Sequence, residues 1–384
     1  MLPRTDYRHQ VENATSRAPI TALVGPRQCG KTELARQIAA TRKSTLFDLA
    51  SKQDMRRLAN PELALGRLDG LVVLDEIERM PWLFDTLEVL ADRADRRSHH
   101  LVLGSADPDL VRGVPESLAG RIECIELSGF DLSETGTDAW RTLWLRGGFP
   151  QSFLAVSDIY SRAWRDRFIR TLLRRDIPRL GIVMSAADMR RFWMTLAHWH
   201  GRTWNAVAIG RTVFRSDKTV RRYLDLLTGA YMVRQLQPWF ETVARRQVTA
   251  PRIYLRDSGL LHALLDIHDY DELLAHSSVD ASWKGFVIEQ ILRTLQPPTA
   301  WHWAAEGSGA LDLLIVDKGR RIGFDLKFGE APYVTGAMDH IVRLLSLEHL
   351  FEVCATGGAH RVDARISVVP VRDLSGLRQR IDEL

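Results

Sequence analysis

The octapeptide Gly25-Pro26-Arg27-Gln28-Cys29-Gly30-Lys31-Thr32 constrains this chain more than any other feature. It fits the pattern G-x-x-x-x-G-K-[ST], follows a short apolar run at 20–24 and precedes a helical pattern that runs from Thr32 to about Ala40. Strand, glycine turn and helix form the context in which such a loop takes phosphate. The glycines let backbone N–H groups face the anion, and the first helical turn adds the positive end of its dipole. In this setting Lys31 is expected to reach the β- and γ-phosphates of ATP, and the Thr32 hydroxyl to ligate Mg²⁺. Lysine is scarce here, with seven of the 52 basic residues and arginine making up the rest, so a lysine at a motif position carries weight.

The second half of a nucleotide site is an acid at the end of a buried strand, and Leu71-Val72-Val73-Leu74-Asp75-Glu76 supplies it. Asp75 is expected to hold Mg²⁺ through water and Glu76 to polarise the attacking water. A third apolar run, Leu101-Val102-Leu103-Gly104, ends at Ser105, a polar residue placed to orient that water. Downstream, Ser117-Leu118-Ala119-Gly120-Arg121 offers Arg121 either as a contact to the γ-phosphate, in cis or toward a neighbouring subunit, or as one arm of a structural salt bridge. Short apolar runs separated by helical stretches over about 130 residues predict a parallel α/β sheet covered by helices.

The ordered set GPRQCGKT, VVLDEIERM, LVLGSA, SLAGR, GGFP, PRIYLRDSGLL and FDLKFGEAP resembles the prokaryotic AAA-family ATPases that carry a C-terminal domain of unknown function 4143. The resemblance covers nearly the whole chain. It implies an α/β fold in three parts: an AAA+ P-loop ATPase domain over 1–150, a helical and winged-helix domain over 151–250, and an α+β restriction-endonuclease-like domain over 251–384. Many AAA+ modules carry Asn at the strand end where Ser105 stands. The break between the first two parts is placed at Gly147-Gly148-Phe149-Pro150.

In the middle part, from Ser157 to Trp239, the pattern is almost wholly helical. Residues 161–180 carry seven arginines against two aspartates, with Trp164, Phe168, Leu172 and Leu173 as the apolar stripe. Asn205–Phe214 and Lys218–Leu227 read as two helices around a turn at 215–217, with Ser216 as N-cap, and 231–236 with 252–255 as a wing. Lys218, Arg221 and Arg222 then project toward the phosphates or a groove of DNA, or toward a protein partner.

In the back part, Leu311–Val316 and Ile322–Lys327 alternate like a hairpin around 317–320. The restriction-endonuclease-like resemblance implies a second metal site, with Glu289 from a helix, Asp312 from one strand, and Asp325 and Lys327 from the next. An intact set permits cleavage of DNA; a set compensated by the lysine alone gives a folded but inactive domain.

Composition excludes other classes. With 384 residues, 45% hydrophobic and 26% charged, the chain is globular rather than disordered or fibrous. No apolar run approaches the ~18 residues of a membrane span, and the first ten residues lack a secretory apolar core. Three scattered cysteines offer neither a disulfide framework nor a zinc knuckle. The expectation is a cytoplasmic, oligomeric and DNA-associated ATPase, with a ring as one form of oligomer and branched DNA as one target. Its rivals are a nucleotide-switched protein-interaction module and an ATP-gated nuclease.

Overall fold

The computed structural model describes residues 2–105, 118–180, 185–241, 247–329 and 336–384. Ala106, Ser117 and residues 330–332, each part of a motif quoted above, lie outside the described residues. The chain forms two compact units, Met1–Gly129 with Gly229–Tyr231, and Phe130–Thr228 with Met232–Leu384.

Among its described residues the first unit is built on five parallel strands: β1 (Ile20–Gly25), β2 (Ser44–Asp48), β3 (Gly70–Asp75), β4 (Ser98–Ser105) and β5 (Ile122–Glu126), in the order β2-β3-β4-β1-β5. The three central strands are the continuous apolar runs, because a parallel strand covered on both faces buries every side chain. β2 and β5 lie at the edges, where Phe47 and Ile125 are the only fully buried residues. Their apolar pattern is correspondingly faint in the sequence. Ile20, Val72, Leu74 and Val102 are sealed in one core cluster, each worth about 1.5–3 kcal/mol relative to exposure. Gly25 pairs with Ser105 in register, and Asp75 with Leu103, so the residues of interest share the carboxyl edge of the sheet. There the strand order reverses around β1, which is where open α/β sheets leave a crevice.

Among its described residues the second unit carries eight strands: β6 (Val233–Pro238), β7 (Arg252–Leu255), β8 (Ala300–Ala305), β9 (Gly309–Asp317), β10 (Arg320–Leu326), β11 (His349–Cys354), β12 (His360–Arg361) and β13 (Ile366–Pro370). Their order is β12-β13-β11-β10-β9-β8-β6-β7. β8, β9 and β10 form an antiparallel meander, and β11 adds in parallel to β10. The expected hairpin is present. Its turn places Lys318 and Gly319 both at positive φ, 49° and 82°, the twist a two-residue hairpin favours.

Two expectations shift. β6 and β7 pair antiparallel, as a wing would, but β6 also pairs in parallel with β8. The strands therefore form the edge of the large sheet rather than a free-standing wing, and the middle and back parts share one unit. The GGFP segment lies inside that unit and is no seam. Gly148 N–H donates to Asp257 at 2.8 Å, and Asp257 also caps the helix Ser258–Leu264 through Leu260 N–H at 2.8 Å. A side chain on Gly147, whose φ is 76°, would meet the Asp257 carboxylate at 2.2 Å. GGFP and RDSGLL are thus two sides of one clasp.

The helical region holds Asp158–Thr171, Ala186–His198, Ala206–Val213 and Asp217–Gly229. Not all of its arginines face water. Arg165 is fully buried and donates to the carbonyls of Leu145, at 3.1 Å, and Gly259, at 2.9 Å. Arg162 binds Asp266 at 2.8 Å and the Ile267 carbonyl at 3.0 Å.

Candidate nucleotide site

β1 delivers the loop to the sheet edge, and the helix Lys31–Ala39 leaves from it. Gly25 has φ 149°, and a Cβ there would stand 1.9 Å from the Leu127 carbonyl oxygen. The position admits only glycine. Cys29, fully buried, donates from Sγ to the same carbonyl at 3.3 Å. Lys31, 7% exposed, lies over the loop and donates to the carbonyls of Gly25 at 2.8 Å and Pro26 at 2.9 Å. The Thr32 hydroxyl donates to Asp75 Oδ2 at 2.7 Å, and Asp75 Oδ1 accepts from Glu76 N–H at 2.9 Å. Burial pushes the Asp75 carboxyl up, against the pull of Thr32, the Glu76 N–H and Lys31. The hydroxyl and carboxylate are hard oxygen donors held together, the chemistry Mg²⁺ selects, so these residues fit the group the loop calls for.

Glu76 stands at φ 57°, ψ 48° and accepts from Arg27 at 3.2 Å and from Arg79. Ser105 closes β4 as expected, with its N–H donating to Glu78 at 3.4 Å. Arg121 pairs with Asp92 through two bonds of 2.7 and 2.9 Å on the surface of the unit.

Three participants escaped sequence reasoning. Arg4, buried, donates to the Cys29 carbonyl at 2.9 Å and to the Ser128 and Gly129 carbonyls at 3.0 and 3.2 Å. It ties the loop to the segment after β5, and nothing local in the sequence marks it. Glu78, pushed up by burial and by the Glu76 charge, is a second carboxylate beside Ser105; the third acid of LDEIE was its signal. Lys284 is the third and belongs to the other unit.

In that unit, Lys284 grips Asp312 at 2.7 and 2.8 Å, joined by Arg252 at 3.3 Å. Asp312 also accepts from Leu326 N–H at 3.1 Å. Lys327 pairs with Asp325 at 3.2 Å. The bond to Leu326 N–H sets Asp312 beside the Asp325–Lys327 pair, and burial, then the Asp312 charge, push the Asp325 carboxyl up. Glu289 has partners of its own. Arg234 and Arg256 donate to it, and Arg293 lies 4.0 Å away. Burial alone would raise its pKa, but the arginines bring it down to about 2. Among the described residues, no three of His, Cys, Asp and Glu are grouped to hold a metal.

The carboxylate that joins Asp325 is Glu352, its register partner on β11. It is fully buried, with neither oxygen hydrogen-bonded among the described residues. Burial and the Asp325 charge push it up to about 7. A carboxyl that binds its proton more tightly when folded contributes stability below the unfolded pKa near 4.5, and loses it as pH rises toward 7. Glu352→Gln is therefore expected to flatten the fall in Tm between pH 5 and pH 8, and to melt above the parent at pH 8. Melting curves across that range check it.

Lys218, Arg221 and Arg222 share the exposed face of Asp217–Gly229, while Val220, Tyr223, Leu224 and Leu227 are buried on the other. Arg221 lies 6.0 Å over the Trp204 ring. No helix among the described residues is long and apolar enough to cross a membrane.

Residues 17–136 match the family described as an AAA domain. Residues 137–271 match a domain of unknown function, DUF8612, where the motif order had suggested domain 4143. The uncharacterized proteins Rv2008c of Mycobacterium tuberculosis and Mb2031c of Mycobacterium bovis are each 43% identical over 371 residues, spanning 97% of this chain and 84% of theirs. Among solved structures, the Walker-type ATPase PABY2304 of Pyrococcus abyssi is similar over 69% of this chain and 96% of its own, at 13% identity and a TM-score of 0.49. The chain belongs to the family of these two mycobacterial proteins and carries an AAA-type P-loop domain at its front.

Proposed function

We propose that the chain binds Mg²⁺·ATP on residues 25–32 and hydrolyses it. The observation that carries this reading is the Thr32–Asp75 pair beside Lys31 at the head of a helix, with Glu76 as the next residue. Lys31 and the loop N–H groups bind the phosphates. Thr32 and Asp75 hold the cation, which when bound offsets charge on the β- and γ-phosphates. Glu76 accepts the proton of the attacking water, and Ser105 orients that water. Glu76→Gln keeps the Asp75 oxygens and removes only the acceptor. ATP turnover is expected to fall about 100- to 1000-fold without any loss of nucleotide binding; turnover equal to the parent refutes the assignment.

The reading extends to an oligomeric ATPase that works on DNA. Its support is the exposed Lys218, Arg221 and Arg222 face opposite a packed apolar one. Reversing the three charges is expected to weaken DNA binding across sequences and to reduce the salt slope by about two to three. Unchanged affinity at low salt would make this face a protein-contact surface. Arg121 serves a neighbouring subunit's γ-phosphate only after leaving Asp92. The engagement of Asp312 and Glu289 by basic partners does not fit a ready metal cage, and no cleavage step follows from them.

A further inference from the structure

Both oxygens of the Glu76 carboxylate are taken. Oε1 accepts from Arg27 at 3.2 Å and Oε2 from Arg79. A carboxylate shared between two guanidinium groups is a poor acceptor for a proton from water, since each charge-assisted bond draws on the lone pairs that chemistry needs. Arg27 belongs to the phosphate loop itself, whereas Arg79 follows Glu76 by three residues on the turn Ile77–Arg79. The backbone of Glu76 is in the left-handed region, with φ 57°, a conformation that persists in a residue with a Cβ only where the surroundings hold it. Its N–H bond to Asp75 and these two arginines are part of what holds it.

The ion pairs are partly open to water, with side-chain exposures of 21% for Arg27, 27% for Glu76 and 36% for Arg79. Such pairs are weak and exchange readily. A terminal phosphate arriving on the loop carries more charge than one carboxylate and more acceptor oxygens, so it competes for the same guanidinium. ADP, with no γ-phosphate, competes less.

We propose that Arg27 is a positioning residue that exchanges Glu76 for the γ-phosphate, so that arrival of the substrate itself frees Oε1 of the water-polarising carboxylate while Arg79 keeps hold of Oε2. This deepens the nucleotide reading above and rests on it. Glu76 and the γ-phosphate are then rivals for one cation. Neutralising Glu76 strengthens binding of a triphosphate, leaves the diphosphate unchanged, and does so only while Arg27 is present.

The test is equilibrium binding of the β,γ-imido analogue of ATP and of ADP, with Mg²⁺, to the full chain and to Glu76→Gln, Arg27→Ala and the double variant. Glu76→Gln is expected to bind the analogue about fivefold tighter and ADP as before. Arg27→Ala is expected to lose about tenfold of the preference for triphosphate, and adding Glu76→Gln to it to change nothing further. If Arg27→Ala melts early, Arg27→Gln takes its place. A shift in Glu76→Gln that is equal for both nucleotides, absent, or still present without Arg27 overturns the exchange while leaving the nucleotide site intact. A parent chain that binds neither nucleotide overturns the site and the exchange together.

Discussion

Lys31→Ala is expected to lower affinity for ATP about a thousandfold, about 4 kcal/mol, and to abolish turnover at ordinary nucleotide concentrations. The side chain is buried over the loop, where its ammonium already organises the carbonyls of Gly25 and Pro26. Truncation removes the phosphate contact and leaves those two carbonyls without that donor, so the loss combines direct binding with preorganisation. Fluorescent-nucleotide titration measures the first part. A small change in Tm alongside it separates the loop from the fold, because the sheet beneath is held by apolar strands to which Lys31 hydrogen-bonds only at Gly25, the last residue of β1. Parent-like affinity in a folded variant would refute the site.

The largest effect on stability is expected at Glu289. Its side chain is 2% exposed, facing Arg234, Arg256 and Arg293. Glu289→Ala leaves three guanidinium groups around an uncompensated site, at a cost of about 3–5 kcal/mol. Glu289→Gln preserves the shape and still loses the charge, so it is expected to keep most of that deficit. The acid limb gives an independent sign. A carboxylate whose pKa is depressed to about 2 contributes stability above the unfolded value near 4.5, and loses it as pH falls between the two. The parent should therefore destabilise through that window by more than Glu289→Gln does. Denaturant midpoints at pH 7 and pH 3 measure both. Equal stability of parent and Glu289→Ala would mean that the arginines repack without it.

The phosphate loop, the acid pair at the end of β3 and the hairpin of β9 and β10 were legible in the chain because each rests on local rules: a motif, an apolar run, a turn. Legibility ends where a residue's role is set by a distant partner. Asp257 reads as one more polar residue until Gly148 is placed against it. Glu289 was matched by residue type to a metal site, but its surroundings are arginines supplied by β6, by the residue after β7 and by its own helix. Glu352 sits in an apolar strand and becomes conspicuous only through its register with Asp325. β6 had the composition of a wing; its parallel pairing to β8, across some sixty residues, is not encoded in its own six.

The clasp around Gly148 has a consequence for how the chain is made. The segment that opens the second unit is fastened to residues far ahead of it: Leu132 N–H to Gln290 at 3.0 Å, Trp144 to Ser282 at 2.9 Å, and Gly148 to Asp257. On a ribosome adding roughly 5–20 residues per second, residue 148 emerges on the order of ten seconds before residue 290. Through that interval Trp140 and Trp144, both packed in the end against Trp283, lack that partner. A vectorially growing chain must shield this aromatic stretch while it waits, which makes it the natural place for a nascent-chain chaperone to bind and for truncated products to aggregate.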